Sequence, residues 1–600
     1  MKDISAMLPA KPVGLGRPRG DRTAWEALAG LDAFRKIVND AEKLAQEPIP
    51  EQPDDLFLEF SRNGNRVRWE QAEWKRRARL RTFALAECLE NKGRFIKPLS
   101  EVIEALCREK TWVMPAHDVS LANFNGSAVD IDLASAALAW EMATVAWLFG
   151  NDLPPETRGR LFENVRKRVL IPFMDMVEGR RERNWWMDTT NNWNSVCLAG
   201  VVGAALAIVD SPGERAQFIL AARKYSKNFL RGFGSDGYCT EGLGYWNYGF
   251  GHYVMMAETI IQATAGKVDL MDRDGVRLPA AFGARFEIMN GIYPAFADCT
   301  VGVKPGPRIM GYISRKFGLG LDRLENEGPS AGGALFECLL FSFPNSVSGG
   351  DKAGRQSGGL EARTLFDSSG VWICRPGPSK SCRMGVAIKG GNNNEHHNHN
   401  DVGSFVVAIG SAAPLLDPGA EIYTARTFSP RRYDSGLLNS HGHPVPLVAG
   451  ALQETGADAR GIVLSTRFAD VEDALVMDIR AAYGVKELTK LVRTFVYSRA
   501  GTGSLTVTDE VEFSTPKAFG TALITLGAWK EEQHGRLRVS DNGGSVLVDI
   551  KVEGSEFDIK AEEIREEART PKRPTRIGID LRTPVTRATV TLKISPDFAE

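Results

Sequence analysis

Residues 130–150, DIDLASAALAWEMATVAWLFG, are apolar nearly all round when read at 3.6 residues per turn. That pattern predicts a helix buried between other helices. Residues 504–513, SLTVTDEVEF, alternate apolar and polar instead, the signature of a half-buried strand. The change from the first pattern to the second decides the fold.

Helical patterning extends on both sides of the first stretch. Residues 69–93, WEQAEWKRRARLRTFALAECLENKG, place apolar side chains three and four apart and stop at Gly93. Residues 98–112 follow in the same style, and 154–179 open with prolines suited to a first helical turn. Residues 196–210 and 213–233 bring the series to at least six helices. After Gly/Ser-rich residues 344–362 the period becomes two, with short apolar runs such as RMGVAIKGG, GSFVVAIG, KLVRTFVYS and ATVTLKI. Strands in sequence without intervening helices argue for antiparallel sheets. The expected fold is multidomain α+β: an α/α toroid (incomplete barrel) followed by antiparallel β-sandwich and β-sheet domains. Its expected parts are an N-terminal extension packing on the toroid (1–66), the toroid (67–345), a linker (346–362), a central sandwich carrying a metal site (363–518) and a C-terminal β-sheet region (519–600).

Composition bounds the function. The 600 residues are 43% hydrophobic and 25% charged, an ordinary globular mixture. One core rarely exceeds roughly 250–300 residues, so about two to four domains are expected. Lys plus Arg is 74 and Asp plus Glu is 75, a net charge of −1, which argues against bulk nucleic-acid binding. Eight cysteines without a CxxC pair read as buried free thiols. The N-terminus has no apolar run of signal-peptide length, and no membrane span is predicted. The chain as given reads as cytoplasmic, or as periplasmic or secreted if a leader was removed.

Histidine is unevenly spread. Five of the eight fall within residues 396–443. If GGNNNEHHNHNDVGSFVVAIG (390–410) is extended, His397, His399 and Asp401 share a face. LLDPG supplies Asp417, and NSHGHPVP supplies His441 and His443. Two imidazoles and a carboxylate suit Zn²⁺ or a similar ion, with His399, Asp417 and His443 as candidate ligands and His441 as a substitute. The plainer reading is a hydrogen-bonded polar cluster. In the helical half, RNWWMDTTNNWNSVC (183–197) puts Asn192 and Trp193 at a helix start, which reads as capping or as amide donors beside a sugar platform. SDGYCTEGLGYWNYGFGHYVMMAETI (235–260) holds Glu241, Tyr245, Trp246 and Tyr248 among glycines that permit close approach to a ligand. His117, in TWVMPAHD, is a weaker candidate of the same kind.

In order, TWVMPAHD, NNWNSVC, DGYCTEGLGYWNYG, HHNHNDVGSFVV, LLDPG and NSHGHPVP resemble the heparinase II/III-like polysaccharide lyases over residues 67–515. The resemblance implies an α/α toroid with antiparallel β domains, and β-elimination on a uronate-containing anionic glycan of the heparin or heparan sulfate kind. It implies Asn192 as the carboxylate-binding amide, Tyr248 as the catalytic phenol with Tyr245 as the competing alignment, and His397 as the catalytic imidazole. It implies a mainly structural Zn²⁺ on His399, Asp417 and His443. His117, Trp193, Glu241, Trp246, Arg432 and Tyr433 are then expected at the substrate, an anionic oligo- or polysaccharide. No nucleic-acid or membrane partner is expected, and a homodimer is left open. The alternatives are a toroid glycoside hydrolase with Asp236 and Glu241 as acid and base, or a non-catalytic polysaccharide-binding or assembly protein.

Overall fold

The computed structural model describes residues 2–343, 360–377, 381–570 and 572–597. Most of the expected linker, 346–362, lies outside the described residues. The chain divides into two compact units. One comprises Met1–Gly232, Tyr248–Arg277 and Gly306–Gln356; the other comprises Phe233–Asn247, Leu278–Pro305 and Ser357–Glu600. The two short segments 233–247 and 278–305, read from sequence as part of the helical region, therefore group with the sheets.

The first unit is helical. Helices α1 (Val67–Glu90), α2 (Leu133–Phe149), α3 (Asn192–Ile208) and α4 (Pro212–Leu230) lie within it. A capping box starts α2: Asp132 accepts from the Ser135 backbone N–H, and the Ser135 hydroxyl accepts from that of Asp132. Small residues let α2 and α3 approach closely. A Cβ on Gly200 would run into the Ala136 backbone, and one on Gly203 into the Trp140 indole. Trp140 is itself stacked on Phe336, ring centroids 4.0 Å apart, so it has no room to yield. Gly203→Ala is therefore expected to cost about 1–3 kcal/mol by overpacking. Calorimetry checks this, and an unchanged melting temperature would refute the close packing.

Residues 133–152 are long and apolar enough to cross a membrane by length and composition. However, 72% of the apolar window is buried within the fold, as expected of a core helix.

The second unit is built on antiparallel sheets. A five-stranded sheet runs in chain order through Arg363–Phe366, Val371–Cys374, Met384–Lys389, Phe405–Ile409 and Ala412–Leu415. Its middle strand is buried at every position because both faces are covered. Val386 and Ile388 join an apolar core with Leu475, Leu491 and Phe495 of an eight-stranded sheet, while Gly385 lies against Ile288 and Met289. Arg375 holds that covering segment, donating to the Arg285 and Glu287 carbonyls. The eight-stranded sheet shows the alternation that the sequence predicts: Glu472–Asp478, Leu488–Ser498 and most of Ser504–Lys517 are buried at every second residue.

The boundary expected at 518–519 does not divide the sheets. Ser504–Lys517 pairs with Val585–Pro596, so the eight-stranded sheet draws strands from both sides. Phe519–Thr525 pairs with Thr575–Leu581 and with Leu447–Val448 in a four-stranded sheet. Periodicity marks where strands lie, but not which distant strand supplies their hydrogen bonds.

All eight cysteines are free, and all but Cys107 are buried, in line with their apolar sequence contexts.

Candidate active site and metal centre

Antiparallel pairing brings the ligand-bearing loops together. The His-rich loop joins Met384–Lys389 to Phe405–Ile409, and Val407 pairs with Leu415 in the next strand. Asp417, two residues beyond that strand, thus lies beside Ser404, whose hydroxyl donates to it at 3.3 Å. Two buried side chains pin the loops. Arg493 is paired with Asp509 and donates to the Gly403 and Pro444 carbonyls at 2.9 and 2.7 Å. Gln453 both accepts from and donates to the Val402 backbone.

His399, Asp417 and His443 are wholly buried, and their candidate ligand atoms lie within 4.8 Å of one another. His399 Nδ1 and His443 Nε2 have no hydrogen-bond partner. Two buried imidazole nitrogens without partners are costly unless something binds them. The opposite nitrogens are engaged: His399 Nε2 lies 3.0 Å from Asp298 Oδ1, and His443 Nδ1 lies 2.9 Å from Asp417 Oδ2. A ligating histidine commonly has its second nitrogen held by a carboxylate, as Asp298 holds that of His399; for His443 the carboxylate is the candidate ligand Asp417 itself. Burial holds His399 below the usual imidazole range, the neutral form that a metal needs. The residues present therefore fit a divalent cation with nitrogen and carboxylate ligands. His441 is a poor substitute, since its ring lies 3.3 Å from Glu562.

The loop itself departs from the expected extended form. Residues 396–397 form a turn, and His397 takes φ +57°. The face shared by His397, His399 and Asp401 is lost, and Asp401 instead pairs with Lys389 at 2.6 and 2.7 Å. His397 and His399 nevertheless converge on one carboxylate, Asp298.

Asp298 is 3% exposed and takes four donors. Its Oδ1 accepts from His399 and from Arg432 at 2.8 Å; its Oδ2 accepts from His397 Nδ1 at 2.8 Å and from the Tyr423 hydroxyl at 3.0 Å. Burial pushes this carboxyl up, but the His397 and His399 hydrogen bonds and the His397 and Arg432 charges outweigh it and hold it well below the carboxylate range. Tyr423 also shares a hydrogen bond of 2.7 Å with the Tyr245 hydroxyl. The Tyr245 ring stacks on His397, centroids 3.9 Å apart. Burial first, and then the Asp298 charge, push the Tyr245 phenol above its usual range, with Tyr423 and Arg569 acting in the opposite sense. Glu241, buried, lies 3.5 Å from His397 Nε2. The result is one network of Tyr245, Tyr423, Asp298, His397 and Glu241.

Other expected residues have different surroundings. Tyr433 exchanges hydrogen bonds with the Asn398 amide and carbonyl, and so braces the loop. Trp246 is fully buried and donates to the Pro279 carbonyl at 2.8 Å, which withdraws it from the expected substrate contact. Asp236 accepts from the Ser368 N–H and hydroxyl and from the Tyr238 N–H, a local structural role. In the helical unit, Asn191 caps α3 by accepting from the Trp193 N–H, and Asn192 is the buried first residue of that helix. Trp193 packs against His117 at 4.5 Å and Trp185 at 4.7 Å, and His117 Nδ1 lies 2.7 Å from Asp132. Tyr248 is 37% exposed and packs edge-on against His252. The parts of Asn192, Trp193, His117 and Tyr248 in any chemistry rest on the sequence resemblance.

Asp298, Tyr423 and Arg569 were not singled out from sequence. Asp298 is an isolated acid in the apolar run YPAFADC, and Tyr423 lies six residues past Asp417. Arg569, whose guanidinium lies 4.0 Å from the Tyr423 ring centroid, carries no local signal.

The sequence matches no family model and no curated protein. Its structure is similar to solved ones. A crystal structure of heparinase III aligns at TM-score 0.60 and 12% identity, over 95% of this chain and 93% of that one. A heparan sulfate lyase mutant from Pedobacter heparinus aligns at TM-score 0.57 and 12% identity, over 95% and 92% of the two chains. A helical part followed by antiparallel sheets, aligned over nearly the whole length, gives this chain the fold of the heparinase III and heparan sulfate lyase structures.

Proposed function

We propose that this protein is a polysaccharide lyase that cleaves a uronate-containing glycan, of the heparan sulfate kind, by β-elimination. The observation that carries the reading is the Tyr245–His397 stack, with Tyr245 bonded through Tyr423 to the carboxylate that holds His397.

Elimination needs the weakly acidic C5 proton removed and the departing O4 protonated. His397 is held through Nδ1 by Asp298, which leaves Nε2, 3.5 Å from Glu241, as the atom that can take up a proton. That atom takes the C5 proton. The raised phenol of Tyr245 is protonated at neutral pH and gives its proton to O4 as the C4–O4 bond breaks. The electron pair left at C5 forms the C4–C5 double bond of the unsaturated product. A divalent cation on His399, Asp417 and His443 would supply charge and cross-linking to these loops.

The similarity to heparinase III and heparan sulfate lyase structures and the donor set of the cluster support this reading. The test is ultraviolet absorbance of the unsaturated uronate product over heparan sulfate, chondroitin, hyaluronan and alginate. A rise with one polymer, abolished by His397→Ala, is the expected outcome. No rise with any of them sinks the proposal. Reducing sugar without the chromophore would point to a hydrolase, and binding without turnover to a non-catalytic glycan-binding protein.

A further inference from the structure

Asp298 is placed to do more than orient one histidine. A carboxylate offers about four lone-pair directions, and all four here are used: His399 and Arg432 on one oxygen, His397 and Tyr423 on the other. His399 is a candidate cation ligand, and His397 a reacting group of the proposed lyase. One rigid carboxylate thus fixes both rings. The backbone around it is held as well. Ala297 takes φ +60° and His397 φ +57°, conformations that persist only where the surroundings impose them. The segment after Asp298 is bonded to the segment after Asp417, Ala420 N–H donating to the Cys299 carbonyl at 3.0 Å. A Cβ at Gly419 would collide with that same carbonyl, so no side chain fits between the two segments.

We propose that Asp298 is a positioning residue that locks the metal ligand His399 and the reacting imidazole His397 into one unit, so that cation occupancy sets the geometry of the proton-transfer pair. The catalytic half of this rests on the lyase reading, and the metal half does not. Asparagine cannot replace the carboxylate, because its NH₂ group faces two donors.

The experiment compares the parent with Asp298→Asn, using zinc as the probe in competition with a chromophoric chelator. The variant is expected to bind zinc about 10–100-fold more weakly. Its kcat at saturating zinc should remain depressed about 10-fold or more, with KM little changed. Tyr423→Phe, which leaves both imidazoles bonded to Asp298, keeps the parent zinc affinity. Unchanged zinc affinity in Asp298→Asn overturns the proposal. So does a full return of kcat at saturating zinc, which would confine Asp298 to the metal. A second measurement needs neither a folded variant nor a substrate. Carbethoxylation of His397 in the parent, followed by peptide mass spectrometry, should speed up several-fold when zinc is stripped. An unchanged rate overturns the coupling even if the protein proves not to be a lyase.

Discussion

Tyr245→Phe is expected to lower kcat for elimination by about 10²–10⁴-fold, the usual worth of a positioned proton donor. The ring keeps its stack on His397, so the fold should survive with the loss of one hydrogen bond, to Tyr423, worth about 1 kcal/mol. KM should change little, since the hydroxyl acts on the leaving oxygen in the transition state rather than on the bound ground state. Tyr248→Phe is the informative comparison. The sequence resemblance prefers Tyr248, whereas Tyr245 is the phenol that contacts both His397 and Tyr423. Steady-state kinetics on both variants, with circular dichroism as the folding control, decide between them. Near-parental kcat in Tyr245→Phe would remove this phenol from the chemistry.

His443→Ala is expected to strip the cation and destabilise the sheet-rich unit. In the parent, Asp417 is fully buried, and burial pushes its carboxyl up; chiefly the charge and hydrogen bond of His443, together with the Gly419 N–H, reverse that and hold it low. Removing His443 leaves a buried carboxylate with the Gly419 N–H and the Ser404 hydroxyl as its remaining hydrogen bonds. Breaking a buried charged pair from one side costs about 3–5 kcal/mol. For a unit of this size that is a melting temperature lower by roughly 5–10 °C. Loss of bound cation adds to it, because a ligand that binds the native state alone stabilises it by mass action. Elemental analysis should find a divalent cation in the parent and little in the variant. A chelator should bring the parent's melting temperature towards the variant's. A parent free of metal, with a melting temperature indifferent to chelator, would refute the centre.

The legibility of this protein follows the range of each interaction. The buried helix at 133–149 and the alternating strand at 504–517 are visible because burial on one or all faces imprints a period on consecutive residues. The candidate metal cluster is legible through residue type: histidines crowd into one loop pair and an Asp closes a strand nearby. The helix start at the Asn pair 191–192 is local in the same way, although the cap is Asn191 and Asn192 is the first helical residue.

Other features depend on partners far away in the chain. Asp298 meets His397 across 99 positions, and Tyr245 meets Tyr423 across 178. Nothing in YPAFADC announces that its acid will hold two histidines, an arginine and a tyrosine. The same limit explains Asp401, which the local pattern places beside His397 and which Lys389 claims instead. It also explains why 233–247 and 278–305 group with the sheets. Sequence by itself determined the order of helix and strand, the buried thiols and the residue types of the candidate metal cluster, since each is set by neighbours a few positions apart. The tertiary structure alone decided which phenol stacks on His397 and which carboxylate unites the two histidines. Those outcomes depend on where a buried charge finds its donors once distant loops have met.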